Sequence, residues 1–299
     1  MQKYMWEQYK QDWHKSYETQ AHEQKAFGAF ITNLRLADER NAAEAMVNGT
    51  AVHGITKFSD LTSEDFAARY LLTDVSKRIG EPVMSDYKGE PSAVMGLVDW
   101  TGKYTTPVKD QGYCGSCWAF SAAEQIESDV IRTHGSVSPL SVEQIVQCDK
   151  TDGGCNGGWP SNALTYVHNA GGIETEAAYP YSSYSGTTGN CAVNSAKFVT
   201  TVKGYATVSG ESAMASYVQT TGPLSICIDA STWNSYKGGI MSSCGKSINH
   251  AVQAVGVDSS SYWKVRNSWG TGWGESGFIR LKYGANTCYI NYAPVHATF

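Results

Sequence analysis

Gln111-Gly-Tyr-Cys114-Gly-Ser-Cys117-Trp-Ala-Phe-Ser121 is the stretch from which the chain is best read. Cys117 opens an apolar run, Trp118, Ala122, Ile126 and Val130 at i, i+4 spacing, that Gly135 stops. A helix is therefore expected over 117–134, with Ser116 as its cap. A cysteine at a helix N-terminus faces unsatisfied N–H groups that favour the thiolate, the form that attacks carbonyls. His250 lies 133 residues after Cys117 and Asn267 lies 150 residues after it. A thiol, an imidazole to exchange protons with it and an amide to orient the ring make a nucleophile, a base and an orienter. Gln111, six residues before the thiol, and the Cys117 N–H are candidate donors to the oxyanion that forms.

Blander readings exist for each of these residues. Cys114-x-x-Cys117 has the spacing of a redox pair, but no βαβ pattern surrounds it. A zinc site needs four ligands at suitable spacing, and the other cysteines are scattered singly. His250 alone, ahead of Ala251-Val252 on an apolar run, reads as a core histidine. Its separation from Cys117 and Asn267 together is what makes it a candidate base. No metal and no cofactor is expected.

Charge divides the chain into two parts. Residues 1–93 hold 11 Lys+Arg and 14 Asp+Glu, whereas 94–299 hold 12 and 14 across more than twice the length. The first part reads as helical, with Trp6, Tyr9, Trp13 and Tyr17 on one stripe and Ala26, Phe30, Asn33, Leu34 and Ala37 on another. Asn48-Gly49-Thr50 is a turn signal and a glycosylation sequon at Asn48, followed by an extended piece over 52–58. Glycine and proline over 76–96 suggest a linker. Further on, helices are expected over 138–147 and 159–170. After 197 the chain turns to strands, at 224–229, 251–257, 262–266 and 277–281. Helices first and strands later indicate an α+β arrangement of two lobes.

A net charge of −5, without a basic run, argues against nucleic acid as a partner. No apolar stretch is long enough to span a bilayer, so no membrane is expected either. The opening Met-Gln-Lys-Tyr-Met-Trp lacks the apolar core of a signal peptide. Eight cysteines, all between 114 and 288, nevertheless point to an oxidising compartment and favour trimming of such a leader.

Longer blocks carry a resemblance. They are Val98-Asp-Trp, Thr106-Pro-Val-Lys-Asp-Gln-Gly-Tyr-Cys-Gly-Ser-Cys117-Trp, Gly154-Cys-Asn-Gly-Gly-Trp-Pro160, Asn249-His250-Ala251 and Arg266-Asn-Ser-Trp269-Gly-Thr-Gly-Trp-Gly. At these residues the chain resembles the papain family of cysteine proteases, and within it the cathepsin L-like proenzymes. The resemblance implies a papain-like fold, with a helical left lobe and a β-barrel-like right lobe (94–299) preceded by a helical inhibitory propeptide (1–93). It implies Gln111 as oxyanion donor, Cys117 as nucleophile, His250 as base, Asn267 as orienter and Trp269 as the indole shielding the Asn–His bond. Gly157 and Gly158 match the strand that pairs with the substrate backbone, which their missing side chains let approach closely. Asn249 flanks the base. Trp159, Pro160, Cys227, Ile248, Ala251 and Ala293 fall where the family lines its second substrate pocket, implying a hydrophobic or aromatic preference. Cys227 and Ile248 read equally well as plain core.

The same resemblance implies disulfides Cys114–Cys155, Cys148–Cys191 and Cys244–Cys288, leaving Cys117 and Cys227 as thiols. Phe30, Asn33 and Asn41 match the propeptide's helical signature, and Gly54, Phe58 and Asp60 its second signature, with Thr56 in place of Asn. Ala26 and His22 replace the usual Arg and Glu, so the usual ion pairs of the pro-fold are in question. The implied protein is a monomeric endopeptidase precursor, lysosomal, vacuolar or secreted. Its partners are protein and peptide substrates and its own propeptide, with acid releasing the latter and Asp60 as the candidate trigger. The rival reading is a non-catalytic binding relative, which a replaced nucleophile would mark. Cys117 is present.

Overall fold

Trp6, Tyr9, Ala26 and Phe30 close a small apolar cluster between two helices, α1 (Gln2–Asp12) and α2 (Gln20–Met46). The computed structural model describes residues 1–72 and 96–299, so the 76–93 linker and the 93/94 boundary lie outside the described residues. The stripe from Trp6 to Tyr17 is not all helical. Trp13 terminates α1 and His14 adopts a positive φ of 51°, yet Tyr17 still stacks 5.5 Å from Trp6. Thr19 caps α2 by accepting the His22 N–H.

After Asn48, in the left-handed region at φ 53°, comes a two-residue strand, β1 (Val52–His53). The extended piece expected to 58 ends there. Ser59 folds the chain back, its N–H bonding the Thr56 carbonyl and its Oγ the Thr56 N–H. A further helix not expected from the sequence, α3 (Ser63–Tyr70), is capped by Thr62 and has Glu64 and Asp65 in its first turn.

β2 (Leu97–Asp99) opens the larger region, followed by α4 (Cys117–His134), α5 (Val142–Cys148) and α6 (Pro160–Ala170). Helix α4 has the expected bounds, but its cap differs. Ser116 makes no capping bond, because its hydroxyl is taken by Tyr181 at 2.8 Å. Helix α5 starts at 142 rather than 138, since Ser141 caps it through Gln144 N–H while Leu140 bridges to Thr175.

The β-rich part contains β3 (Gly204–Thr207), β4 (Leu224–Ile228), β5 (Tyr236–Gly238), β6 (Ile240–Met241), β7 (His250–Asp258), β8 (Tyr262–Arg266), β9 (Phe278–Lys282) and β10 (Tyr292–Thr298), with α7 (Glu211–Thr220) interrupting it. The sheet order is β3-β10-β4-β7-β8-β9-β6, with β2 also on β7 and β1 paired to β5. Among the described residues the end strands β3 and β6 do not pair, so the sheet is open rather than a closed barrel.

One apolar core lies around β4, β7, β8 and β9, a second around α4, α5 and α6. Helix α4 packs on β7 between them, so residues 117–130 are buried throughout, polar ones included. Those polar groups are paired: Lys109 reaches Glu127 at 2.5 Å, and Gln253 Nε2 bonds the Glu124 carbonyl and the Ser128 hydroxyl. This packing sets the first residue of α4 beside the first residues of β7.

Candidate active site

Cys117 begins α4 and His250 begins β7, both fully buried. The N–H groups of Ala251, next to His250, and of Cys117 and Trp118 favour the anion of the Cys117 sulfur. His250 Nε2 lies 2.8 Å from Asn267 Oδ1, which also accepts the Ser268 N–H. An amide oxygen can only accept, so His250 Nε2 carries the proton and Nδ1 is free for the thiol side. Nδ1 is buried and has no hydrogen-bond partner among the described residues. The Trp269 ring lies 4.8 Å from the imidazole, tilted 32° to it. Gln111 is pinned by Ser268 Oγ, which donates to Oε1 at 2.7 Å, while its Nε2 bonds the Cys114 carbonyl at 2.9 Å.

Burial reverses the electrostatics expected from the sequence alone. Burial pushes the Cys117 thiol up to about 12, against the three N–H groups that favour its anion. Burial likewise pulls His250 down to about 4, against the Asn267 bond. Helix-end N–H groups do favour a thiolate, but removing the site from water outweighs them.

The cover comes from the amino-terminal segment. The Tyr70 carbonyl accepts Gln111 Nε2 at 3.2 Å, so it sits at the candidate oxyanion donor. The Leu72 N–H bonds the Asn249 carbonyl at 2.6 Å, and its side chain is buried in the same apolar cluster as Cys117. Phe58, Phe66 and Tyr70 pack edge-on against Trp269 at 5.3, 5.4 and 6.1 Å. Lys57 donates to the Trp269 carbonyl at 2.6 Å and pairs with Asp110.

Around the site, β4 sets Cys227 opposite Ala251 of β7 and Tyr292 of β10. Trp159, Cys227 and Ala251 are buried in one cluster, with half-buried Ile248 and Tyr292 against it. Pro160 starts α6 and Ala293 is half-buried at the β10 irregularity, with φ 48°. Gly157 needs to be glycine for its φ of 118°. Gly158 is constrained from behind instead. A Cβ there would lie 2.6 Å from the Trp118 ring and 2.7 Å from Asp152. Burial, then repulsion from Asp149, raises Asp152 to about 7.

Residues 95–298 match the papain family cysteine protease profile and residues 6–66 the cathepsin propeptide inhibitor domain. The chain belongs to the papain family of cysteine proteases. It is 39% identical to cysteine proteinase B of Leishmania mexicana, over 98% of this chain and 68% of that one. Among solved structures, digestive procathepsin L 3 of Tenebrio molitor larval midgut superposes with a TM-score of 0.86 at 31% identity, covering 100% of this chain and 99% of that one. A recombinant stem bromelain precursor does so with 0.86 at 32%, covering 100% and 99%.

The protease carries the three disulfides implied by the resemblance, and Cys117 and Cys227 are buried thiols outside them. The propeptide carries ion pairs of its own. Ala26 is buried in the α1–α2 cluster, and Lys15 pairs with Asp60 while Lys25 pairs with Asp65. Asp60 also accepts from Tyr9 and Tyr17. Asn33 donates to the Ser59 and Leu61 carbonyls, and Asn41 clamps both backbone groups of His53. Gly54 N–H bonds the Ser235 carbonyl, and Thr56 donates to the Asn234 carbonyl. Asn48 is exposed.

Sequence reading missed several residues. Glu44 is buried and accepts the Ser242 and Ser243 N–H groups, and Arg40 donates to Asn234 and Ser235. Tyr70 and Leu72 were missed too. Each is an ordinary residue on a helix or at its end. Only a carboxylate on the inward face of α2 was available as a signal for Glu44.

Proposed function

We propose that this cysteine protease precursor matures to an endopeptidase that works through a Cys117 thioester. Once uncovered, the thiol passes its proton to His250 Nδ1, and the sulfur anion adds to the substrate carbonyl. The Cys117 N–H and Gln111 Nε2 receive the oxyanion. The C–N bond breaks as His250 Nδ1 protonates the leaving amine. Water, deprotonated by His250, then cleaves the acyl–sulfur bond and restores the thiol–imidazole pair. Asn267 keeps the ring oriented throughout. The observation that carries this reading is the His250 Nε2–Asn267 Oδ1 bond, which leaves Nδ1 for the sulfur.

Trp159, Cys227, Ile248 and Ala251, with Pro160 and Ala293, offer no charge to a substrate side chain, which supports a hydrophobic or aromatic preference in the second subsite. Gly157, Gly158 and Asn249 present backbone to the substrate. No long His-bearing insertion stands between Cys155 and Cys191, in keeping with an endopeptidase. Acid releases the propeptide with Asp60 taking part, a reading that the convergence of Lys15, Tyr9 and Tyr17 on it supports. Three disulfides fit an oxidising compartment, an acidic organelle or the exterior, and no described helix is long and apolar enough to cross a membrane. Exposed Asn48 fits a glycan acceptor. The enzyme acts as a monomer on proteins and peptides.

Acid incubation of the full chain tests this. The expected result is loss of about 93 residues, a new N-terminus near Val94, and hydrolysis of a dipeptidyl reporter with a bulky apolar second residue. Gln111→Ala is expected to cost roughly 10²–10³ in turnover. Undiminished turnover in a folded Gln111→Ala enzyme would remove it from the mechanism.

A further inference from the structure

His53 lies in the contact between propeptide and enzyme, where β1 pairs with β5, and only 4% of it is exposed. Its place is fixed, since Asn41 bonds both its N–H and its carbonyl. Its Nδ1 lies 2.9 Å from Ser235 Oγ, and Arg40 Nη1 lies 2.5 Å from the same oxygen. Arg40 can only donate, so Ser235 Oγ accepts from it, and its single hydrogen is available to a bare His53 Nδ1. The line Arg40 to Ser235 to His53 accommodates a neutral imidazole with a bare Nδ1. A protonated ring would set two cations across one buried hydroxyl.

We propose that His53 is a proton sensor in the propeptide contact, whose protonation loosens the propeptide from the enzyme. This rests on the acid-release reading above and names a group for it other than Asp60.

Among the described residues no carboxylate is paired with His53, although Asp38 lines the same cavity. Arg35 and Glu39 pair with each other on the outside of α2, and Asp38 is exposed beside them. Glu44 is engaged with Ser242 and Ser243. On the enzyme side, Tyr236 presents its ring edge-on at 6.4 Å, Lys237 brings another positive charge near Gly54, and Glu275 is held by Arg280 and Gly239. Burial, then the Arg40 charge, lowers docked His53 to about 4, whereas a free imidazole titrates near 6.5. The docked state thus binds its proton less readily than the free one. Its contribution to docking is complete above about pH 6.5 and is lost as pH falls toward 4, by about 20-fold between pH 7 and pH 5.

The test is autoprocessing of the full chain from pH 7 to pH 4, wild type against His53→Gln, whose side-chain oxygen can still accept from Ser235 but does not titrate. Expected is a shift of onset to lower pH, with processing at pH 5 slowed about 10-fold and the matured enzyme unchanged. Superimposable profiles would overturn the role of His53 while leaving acid release standing. Wild-type processing equally fast at pH 7 and pH 4.5 would refute acid release itself, and His53's role with it. If His53→Gln opens the precursor at pH 7, the ring is titrated by NMR in the full Cys117→Ser chain. A midpoint below about 5 supports the proposal and one near 6.5 overturns it.

Discussion

The two halves of the propeptide hold on in different ways. Residues 1–46 fold around their own cluster of Trp6, Tyr9, Ala26 and Phe30. Residues 51–72 have no separate core. Ala51, Phe58, Phe66, Tyr70 and Leu71 belong to the apolar core built on the enzyme's β-sheet, and Leu72 to that of the helical lobe. The first half is a knob that positions, and the second is an arm that completes the enzyme's own packing. Trp269 joins the two functions, since the indole beside the His250 ring is also the surface on which Phe58, Phe66 and Tyr70 rest. Blocking is thus tied to folding, and departure of the arm uncovers the indole that lies beside the imidazole.

The contrast predicts a graded series of effects on the full chain, read as reporter hydrolysis at pH 7. Phe58→Ala empties a fully buried aromatic site shared with the enzyme, worth about 3–5 kcal/mol. It is expected to free activity at pH 7 while the matured enzyme behaves as before. A still-silent full chain would show that the arm does not depend on this packing. Asn33→Ala strips the donor that ties the knob to the Ser59 and Leu61 carbonyls in the arm, a loss of about 1–3 kcal/mol. Partial leakage is expected, smaller than for Phe58→Ala; leakage as large would mean that the knob, not the arm, carries inhibition. Arg35→Ala removes an exposed ion pair with Glu39 on the outer face of the knob and is expected to change docking by less than about 0.5 kcal/mol. A clear gain in activity would place an unrecognised contact on that face.

The candidate catalytic set could be picked out because its residue types and separations constrain one another. The bounds of α4 followed from its apolar repeat and the Gly135 stop, and the disulfide pairing followed from resemblance. Other features depended on tertiary partners that no local pattern records. Ser116 looks like a cap until Tyr181 takes its hydroxyl. Gly158 looks like room for substrate, whereas Trp118 and Asp152 fill the space behind it. Helix α3 was overlooked although Thr62-Ser-Glu-Asp65 is a serviceable start signal, because its short apolar face is meaningful only against Trp269. The raised thiol and lowered imidazole were hidden for the same reason: burial belongs to the assembled precursor, not to the motif.

The central claim is that the covered precursor keeps Cys117 and His250 un-ionised and that uncovering them creates the nucleophile. Its most direct measurement is the rate at which iodoacetamide alkylates Cys117 at pH 7, followed by mass spectrometry, in the full chain and in the acid-matured enzyme. The account predicts alkylation slower by about 100-fold or more in the precursor, where the thiol is both buried and protonated. Equal rates in the two forms would contradict it.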